Sequence, residues 1–214
     1  MKEPIKIMNL AMSPKGDVTQ WFAENPKLYS QFGLDGHNGV DLVRPHGEPL
    51  YAIESGTIIA VENNPHGYGK HLRILSDYKD SNGRQREWAY GHNSVNLVVV
   101  GQKVTEGDKI ALMGNTGFTI SGATPYWKVN PYAGTHLHIG VRLMKQTVKG
   151  WSYEGSDIKL TAQNYQNGYK GCIDPRPFLE ALIKDVPEKN KVMYKQLLSI
   201  QSIINTLRSL LLGK

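Results

Sequence analysis

The chain has 214 residues, of which 40% are hydrophobic, and its formal net charge is +6 at pH 7. This length is enough for one domain of roughly 150 residues plus an appendage, and the hydrophobic share excludes a disordered polar chain. The positive charge favours an anionic partner, although solubility alone would account for it equally well. The single cysteine excludes an internal disulfide framework.

The start of the chain has no pattern typical of a secretory signal, because Lys6 and Asn9 interrupt its apolar residues. No stretch is long and apolar enough to span a bilayer. A chain of this kind that acts outside the cell would therefore need another route to its place of action.

Short β-strands separated by turn residues are predicted for most of the chain. A strand over 18–22 precedes a loop over 23–33, and the later strands are predicted at 50–53, 57–61, 71–75, 85–92 and 104–114. Asn25 in the first loop is typical of a turn, and a contact with substrate is the alternative. The pattern predicts a mainly β, antiparallel protein.

A long loop over 117–134 comes directly before the next strand. It contains two neighbouring aromatic residues, Tyr126 and Trp127, and prolines on either side of them. Loops beside a site that are rich in aromatic residues often shape the substrate pocket. We therefore predict that Tyr126 and Trp127 contact substrate.

Two histidines follow this loop, separated by one leucine. Residues i and i+2 of a strand point to the same face, so His136 and His138 should project side by side. Upstream, His37 and Asp41 form a second candidate pair. Together, His37, Asp41 and one of the two strand histidines would supply three nitrogen and oxygen ligands. Such a set is typical of a catalytic zinc site with one open position. A polar strand face without metal is the alternative.

Three motifs in this order resemble those of the lysostaphin/LytM-type zinc metalloendopeptidases, which cut peptide bonds in bacterial peptidoglycan. H-x-x-x-D, Y-x-H and H-x-H stand here at 37–41, 90–92 and 136–138, and shorter matches occur at 56–59, 67–69, 104–108 and 114–117. The resemblance covers roughly residues 17–143. It implies an antiparallel, β-sandwich-like catalytic core, the duplicated hybrid motif fold.

The resemblance also implies the roles of the motif residues. One Zn²⁺ per chain would be held by His37, Asp41 and His138. His136 would be the general base and His92 would assist it, with the division of work between these two histidines left open. Tyr90 of the Y-x-H motif would contact substrate or, alternatively, pack in the core. The chain departs from the family in its longer loop at 117–134 and in Ile139, where phenylalanine is common.

Other functions follow from the same residues. A non-catalytic peptidoglycan-binding or activator module of the same fold is the alternative to the enzyme. A biotinyl or lipoyl carrier is excluded because the hairpin tip has Glu54 and Ser55, and no lysine. Net charge alone suggests nucleic acid, without any motif, so no nucleic-acid partner is expected.

The predicted domains are a metallopeptidase domain at 1–150, an irregular linker at 151–185 and an amphipathic helical tail at 186–214. In the tail, apolar residues recur at alternating steps of four and three: Met193, Leu197, Ile200, Ile204, Leu207 and Leu211. Self-association, docking on the domain and contact with an anionic membrane are the three hypotheses for this tail.

The expected place of action is the cell wall, whereas no signal peptide is seen. Two explanations are open: a phage-encoded protein that is released at lysis or carried in a virion, and the mature form of a secreted chain. We favour the first of these as an expectation.

Overall fold

The computed structural model describes residues 18–121, 124–125 and 130–178. The predicted substrate residues Tyr126 and Trp127 and the predicted helical tail at 186–214 lie outside these residues. Among the residues described, no helix is long and apolar enough to cross a membrane.

Antiparallel strands form the framework of the described chain. They are β1 (Val18–Gln20), β2 (Val40–Leu42), β3 (Pro49–Tyr51), β4 (Gly56–Asn64), β5 (Gly69–Lys79), β6 (Arg84–Asn93), β7 (Val95–Asn96), β8 (Lys103–Val104), β9 (Lys109–Leu112), β10 (Ile120–Ser121), β11 (Thr124–Pro125), β12 (Leu137–Trp151), β13 (Leu160–Ala162) and β14 (Cys172–Ile173). The short helix α1 (Pro26–Tyr29) continues into a 3₁₀ turn over Ser30–Phe32.

A nine-stranded antiparallel sheet organises the fold. Its main order is β1-β2-β12-β6-β5-β4-β8, and both β13 and β14 also pair with β12. A second sheet has the order β3-β9-β7, and β10 pairs with β11 in a separate hairpin. The mainly β, antiparallel class predicted from the alternation is therefore confirmed.

The main core lies on one face of the large sheet, and a smaller apolar cluster is formed separately by Ile59, Leu75, Met144 and Leu160. Leu137, Ile139 and Val141 of β12 are at most 2% exposed and belong to the same apolar cluster as residues of the three-stranded sheet. Trp88 of β6 is fully buried in this cluster. Because strand residues alternate, the opposite face of β12 presents His138, Gly140 and Arg142 away from this core. His138 and Arg142 are thus kept away from the main core, on the face of β12 that also carries Met144 of the smaller cluster.

The predicted irregular linker at 151–185 contains two short strands in the part that the structure describes, and both pair with the sheet. β13 pairs with β12 from Met144 to Trp151, and β14 pairs with it at Val141 and Arg142. Phe178 packs against the ring of Trp88, with centroids 6.2 Å apart. Strands of two or three residues are too short to show alternation in the sequence. Here β13 and β14 form by pairing with the part of β12 that lies beyond its pairing with β2.

We predict that Leu137→Ala lowers the free energy of unfolding by about 3 kcal/mol, because the side chain is fully buried and its removal leaves a cavity. Urea unfolding followed by circular dichroism measures this change. Val148→Ala on the same strand is the control, since Val148 is 94% exposed, and it should change stability by less than about 0.5 kcal/mol. Equal effects of both substitutions would contradict the described packing of β12.

Candidate metal centre

Three predicted ligands converge at one point of the large sheet. Nε2 of His37 lies 2.9 Å from Nδ1 of His138, and each of these nitrogens lies 3.1 Å from Oδ1 of Asp41. Asp41 and His138 are directly opposite each other in the pairing of β2 with β12. All three side chains are buried. Sheet register therefore brings together residues that are about a hundred positions apart in the sequence.

Glycine at position 39 lets the two motifs approach. A Cβ on Gly39 would lie 2.6 Å from Cε1 of His138, so any side chain there would displace the imidazole ring. The segment before it is held by two backbone bonds, in which His37 N donates to Glu24 O and Ala23 N donates to His37 O, both at 2.8 Å. His37 is thereby positioned against His138 by main-chain contacts.

Backbone carbonyls determine which ring nitrogen carries the proton in three of the histidines. Nδ1 lies 3.1 Å from Trp21 O in His37, 2.8 Å from Thr116 O in His92 and 2.7 Å from Gly134 O in His136. A carbonyl oxygen only accepts, so Nδ1 is the protonated nitrogen and Nε2 keeps its lone pair. All three histidines thus have a basic Nε2, and that of His37 faces the ligand cluster.

The charge of the cluster suits a cation. Burial raises the pKa of Asp41, but the neighbouring His136 and His37 lower it more, so the pKa of this carboxyl lies well below its usual range. Burial also lowers the pKa of His138 to about 4, which keeps its imidazole neutral near pH 7. The buried carboxylate of Asp41 thus stays ionised beside the neutral imidazole of His138, and a divalent cation would neutralise its charge.

The donor set and spacing fit zinc. Tetrahedral zinc with bonds of about 2.0–2.1 Å separates its ligand atoms by roughly 3.3 Å, and the three separations here are 2.9, 3.1 and 3.1 Å. Nε2 of His138 is buried without a hydrogen-bond partner in the described chain. It can hold the ring proton while Nδ1 binds the metal.

His136 and His92 lie beside the three ligands. Their ring centroids are 4.6 Å apart, and Nε2 of His136 lies 3.7 Å from Oδ2 of Asp41. His92 has a left-handed backbone with φ of 64°, which turns its ring towards this cluster at the end of β6. Burial, together with His136 and His138, holds the pKa of His92 well below its usual value. His92 is therefore neutral at physiological pH.

The centre opens into a cleft of about 890 Å³. Two tyrosines on its wall have no role in the sequence prediction. The ring of Tyr68 stacks on His138 with centroids 4.8 Å apart, and its hydroxyl accepts a 2.6 Å hydrogen bond from Asn38 Nδ2. Tyr29 lies 5.2 Å from the ring of His37. The sequence did contain a signal for Tyr68, because this residue lies in the stretch at 67–69 that resembles the family.

The predicted substrate residues have different outcomes. Asn25 lines the cleft at the start of α1, without a capping bond from its side chain, and its contact with substrate stays a prediction. For Tyr90 the expected substrate contact is wrong and the alternative of core packing is confirmed, because this residue is 1% exposed. Its hydroxyl donates to Tyr51 O and accepts from Ile53 N. Tyr90 therefore packs in the core, with its polar end satisfied there.

Comparisons with known proteins agree with this geometry. Residues 35–150 match the model of peptidase family M23. The chain is 37% identical over 81 residues to peptidoglycan DD-endopeptidase ShyA of Vibrio cholerae, covering 38% of this chain and 17% of that protein. It is 29% identical over 138 residues to murein hydrolase activator NlpD of Escherichia coli, covering 63% and 30%. The chain spans at most about a third of the length of the curated relatives it matches.

Among solved structures, LytU superposes with a TM-score of 0.50 at 28% identity, covering 79% of this chain and 88% of that one. The coverage extends beyond the residues of the family match. It is consistent with β13 and β14 being part of the folded domain.

We predict that the metal-free protein loses stability as pH falls from 6.5 to 4. The unfolded chain binds a proton at His138 below its ordinary pKa of 6.5, whereas the folded chain resists it down to about 4. This difference amounts to about 3 kcal/mol at most. Urea unfolding in the presence of a chelator, repeated across this pH range, measures the loss.

His138→Gln should show a flatter dependence on pH, because it removes this titrating group. His66→Gln is the control, since His66 is exposed, and it should behave like the wild type. A wild-type stability that stays constant between pH 6.5 and 4 would contradict the described burial of His138.

Proposed function

The chain belongs to peptidase family M23, and from this premise we propose that it is a zinc-dependent endopeptidase. Its proposed substrate is bacterial peptidoglycan, cut at a peptide bond of the stem peptide or cross-bridge. The observation that carries the proposal is the convergence of His37, Asp41 and His138, within hydrogen-bonding distance of one another, at the wall of an open cleft. The resemblance to a protein named as a peptidoglycan DD-endopeptidase supports the choice of substrate.

His37, Asp41 and His138 would hold the zinc ion. When bound, zinc supplies Lewis acidity, which lets water lose a proton near neutral pH and polarises a carbonyl group. Three protein ligands leave one position of a tetrahedral site for water or substrate, as in other catalytic zinc sites. The stacked ring of Tyr68 and the main chain at Gly39 restrict the imidazole of His138 to one orientation.

His136 is the proposed general base. Its Nδ1 donates to Gly134 O, which leaves Nε2 as the acceptor for the proton of the attacking water. The side chain is partly exposed to the cleft, with 17% of its surface accessible, whereas the ligands are more deeply buried. The same nitrogen would then return the proton to the leaving amine as the peptide bond breaks.

His92 is proposed to orient the attacking water. The bond from its Nδ1 to Thr116 O leaves Nε2 without a proton, so this nitrogen accepts a hydrogen bond. A neutral His92 in this tautomer cannot donate from Nε2 to an oxyanion. This favours the water-orienting role over oxyanion stabilisation.

A non-catalytic activator is the second candidate function. The similarity to a murein hydrolase activator, which covers 63% of this chain, favours it. Both candidate functions share the fold and a peptidoglycan partner, and they differ in whether the metal centre catalyses hydrolysis. The five residues of the centre, three ligands and two further histidines, are all present here, which supports the enzyme.

We predict that His138→Ala abolishes both zinc binding and hydrolysis, because a ligand is lost. His136→Ala should retain one zinc per chain but lower the rate of hydrolysis by roughly a hundredfold or more, the usual contribution of a general base. Elemental analysis gives the zinc content, and mass spectrometry of peptides released from purified cell walls gives the activity.

His66→Ala is the matched control, because this histidine also lines the cleft but is exposed and lies outside the ligand cluster. It should keep both zinc and activity. Wild-type activity in His136→Ala would refute the role of the base. A folded wild-type protein that binds no zinc and releases no peptide would instead support the activator.

A further inference from the structure

The cleft extends from the metal centre to a pair of arginines. Arg142 lies on the same strand face as His138, four residues further along β12, or about 13 Å away along the strand. Arg73 of β5 lies nearby, two strands across the sheet, and both arginines line the cleft. None of the motif residues accounts for this second region, here named the arginine end.

The carboxylate of Glu87 lies near both guanidinium groups. Oε1 of Glu87 lies 3.6 Å from Nη1 of Arg142 and 4.0 Å from Nε of Arg73, and both distances exceed a hydrogen bond. Glu87 is 2% exposed and lies beneath the arginines. Neither Glu87 Oε1 nor Arg73 Nε has a hydrogen-bond partner in the described chain. Glu62 also lines the cleft, but its carboxylate lies 3.0 Å from Nε2 of His71. The two guanidinium groups thus have one buried carboxylate between them, which leaves spare N–H donors at the cleft wall.

A continuous wall joins the arginine end to the metal centre. The Tyr68 ring stacks on His138, and Asn38 Nδ2 donates to the Tyr68 hydroxyl and contacts Cys172 Sγ at 3.7 Å. The guanidinium of Arg142 interacts with the thiol of Cys172. A ligand group on Arg142 would therefore be held at a defined separation from the metal.

We propose that Arg142, with Arg73 beside it, binds a free carboxylate of the peptide substrate and so determines specificity. This proposal rests on the proposed endopeptidase function. A guanidinium group matches a planar carboxylate with two parallel hydrogen bonds, whereas a carboxamide offers one acceptor and no charge. In an extended peptide, at about 3.3 Å per residue, the carboxylate lies roughly three or four residues from the bond that is cut.

The test compares two cross-linked muropeptides that differ only in whether their carboxyl side groups are free or amidated. With the zinc-loaded full chain, kcat/KM should be at least about tenfold higher for the free carboxyl form. Arg142→Gln should remove most of this preference. Lys145→Gln is the matched control, since it removes one positive charge from the same strand at an exposed position outside the cleft, and it should retain the preference.

Loss of Arg142 alone leaves Glu87 buried without a nearby counter-charge from β12, so Glu87→Gln/Arg142→Gln is measured alongside it. An unchanged zinc content shows that each variant is folded, and both variants should lose the preference. Equal kcat/KM for the two muropeptides in the wild type, or a preference that persists without Arg142, would overturn the proposal.

A wild type that cleaves neither muropeptide would refute the endopeptidase function without deciding the arginine end. Calorimetric titration of the same two muropeptides into the wild type then decides it. Binding of the free carboxyl form that is at least about tenfold tighter, and that Arg142→Gln abolishes, supports the carboxylate site. Equal affinities overturn it.

Discussion

The pairing of β2 with β12 is the contact on which the rest of the structure depends. It places Asp41 directly opposite His138, and the short turn before β2 then brings His37 within 2.9 Å of the same imidazole. Three ligand atoms in this arrangement have at most one proton among them, which is unfavourable in a buried site without a cation. The sheet register thus produces a site whose charge is completed by a metal ion.

The two faces of β12 have different roles. Leu137, Ile139 and Val141 bury one face in the core of the sandwich, and His138 and Arg142 occupy the other. A shift of register by one residue would exchange the two faces, so burial of the apolar face fixes the register of β12. The positions of His138 and Arg142 on the polar face are fixed with it. The metal centre and the arginine end are therefore separated by a distance that the strand itself determines.

The surrounding loops complete the chemistry through main-chain groups. Carbonyl oxygens of Trp21, Gly134 and Thr116 each bind an Nδ1–H, so that three imidazoles present the same basic nitrogen. Tyr68 connects the parts further, because its ring stacks on His138 and its carbonyl oxygen accepts a bond from His92 N. The three carbonyl contacts give His37, His92 and His136 one tautomer each, in which Nε2 can bind metal or accept a proton.

Local spacing in the sequence was enough to determine the β class and the shared face of His136 and His138, because strand alternation is a short-range property. The choice of His37, Asp41 and His138 as the three ligands came from the resemblance of the motifs to those of a known family. Only the tertiary structure decided that Tyr90 belongs to the core, that 160–173 completes the sheet, and that Tyr68 and Arg142 share a cleft with the metal ligands. These features depend on contacts between residues distant in the sequence. Burial and pairing across the sheet determine such contacts, and a residue's neighbours along the chain carry no record of them.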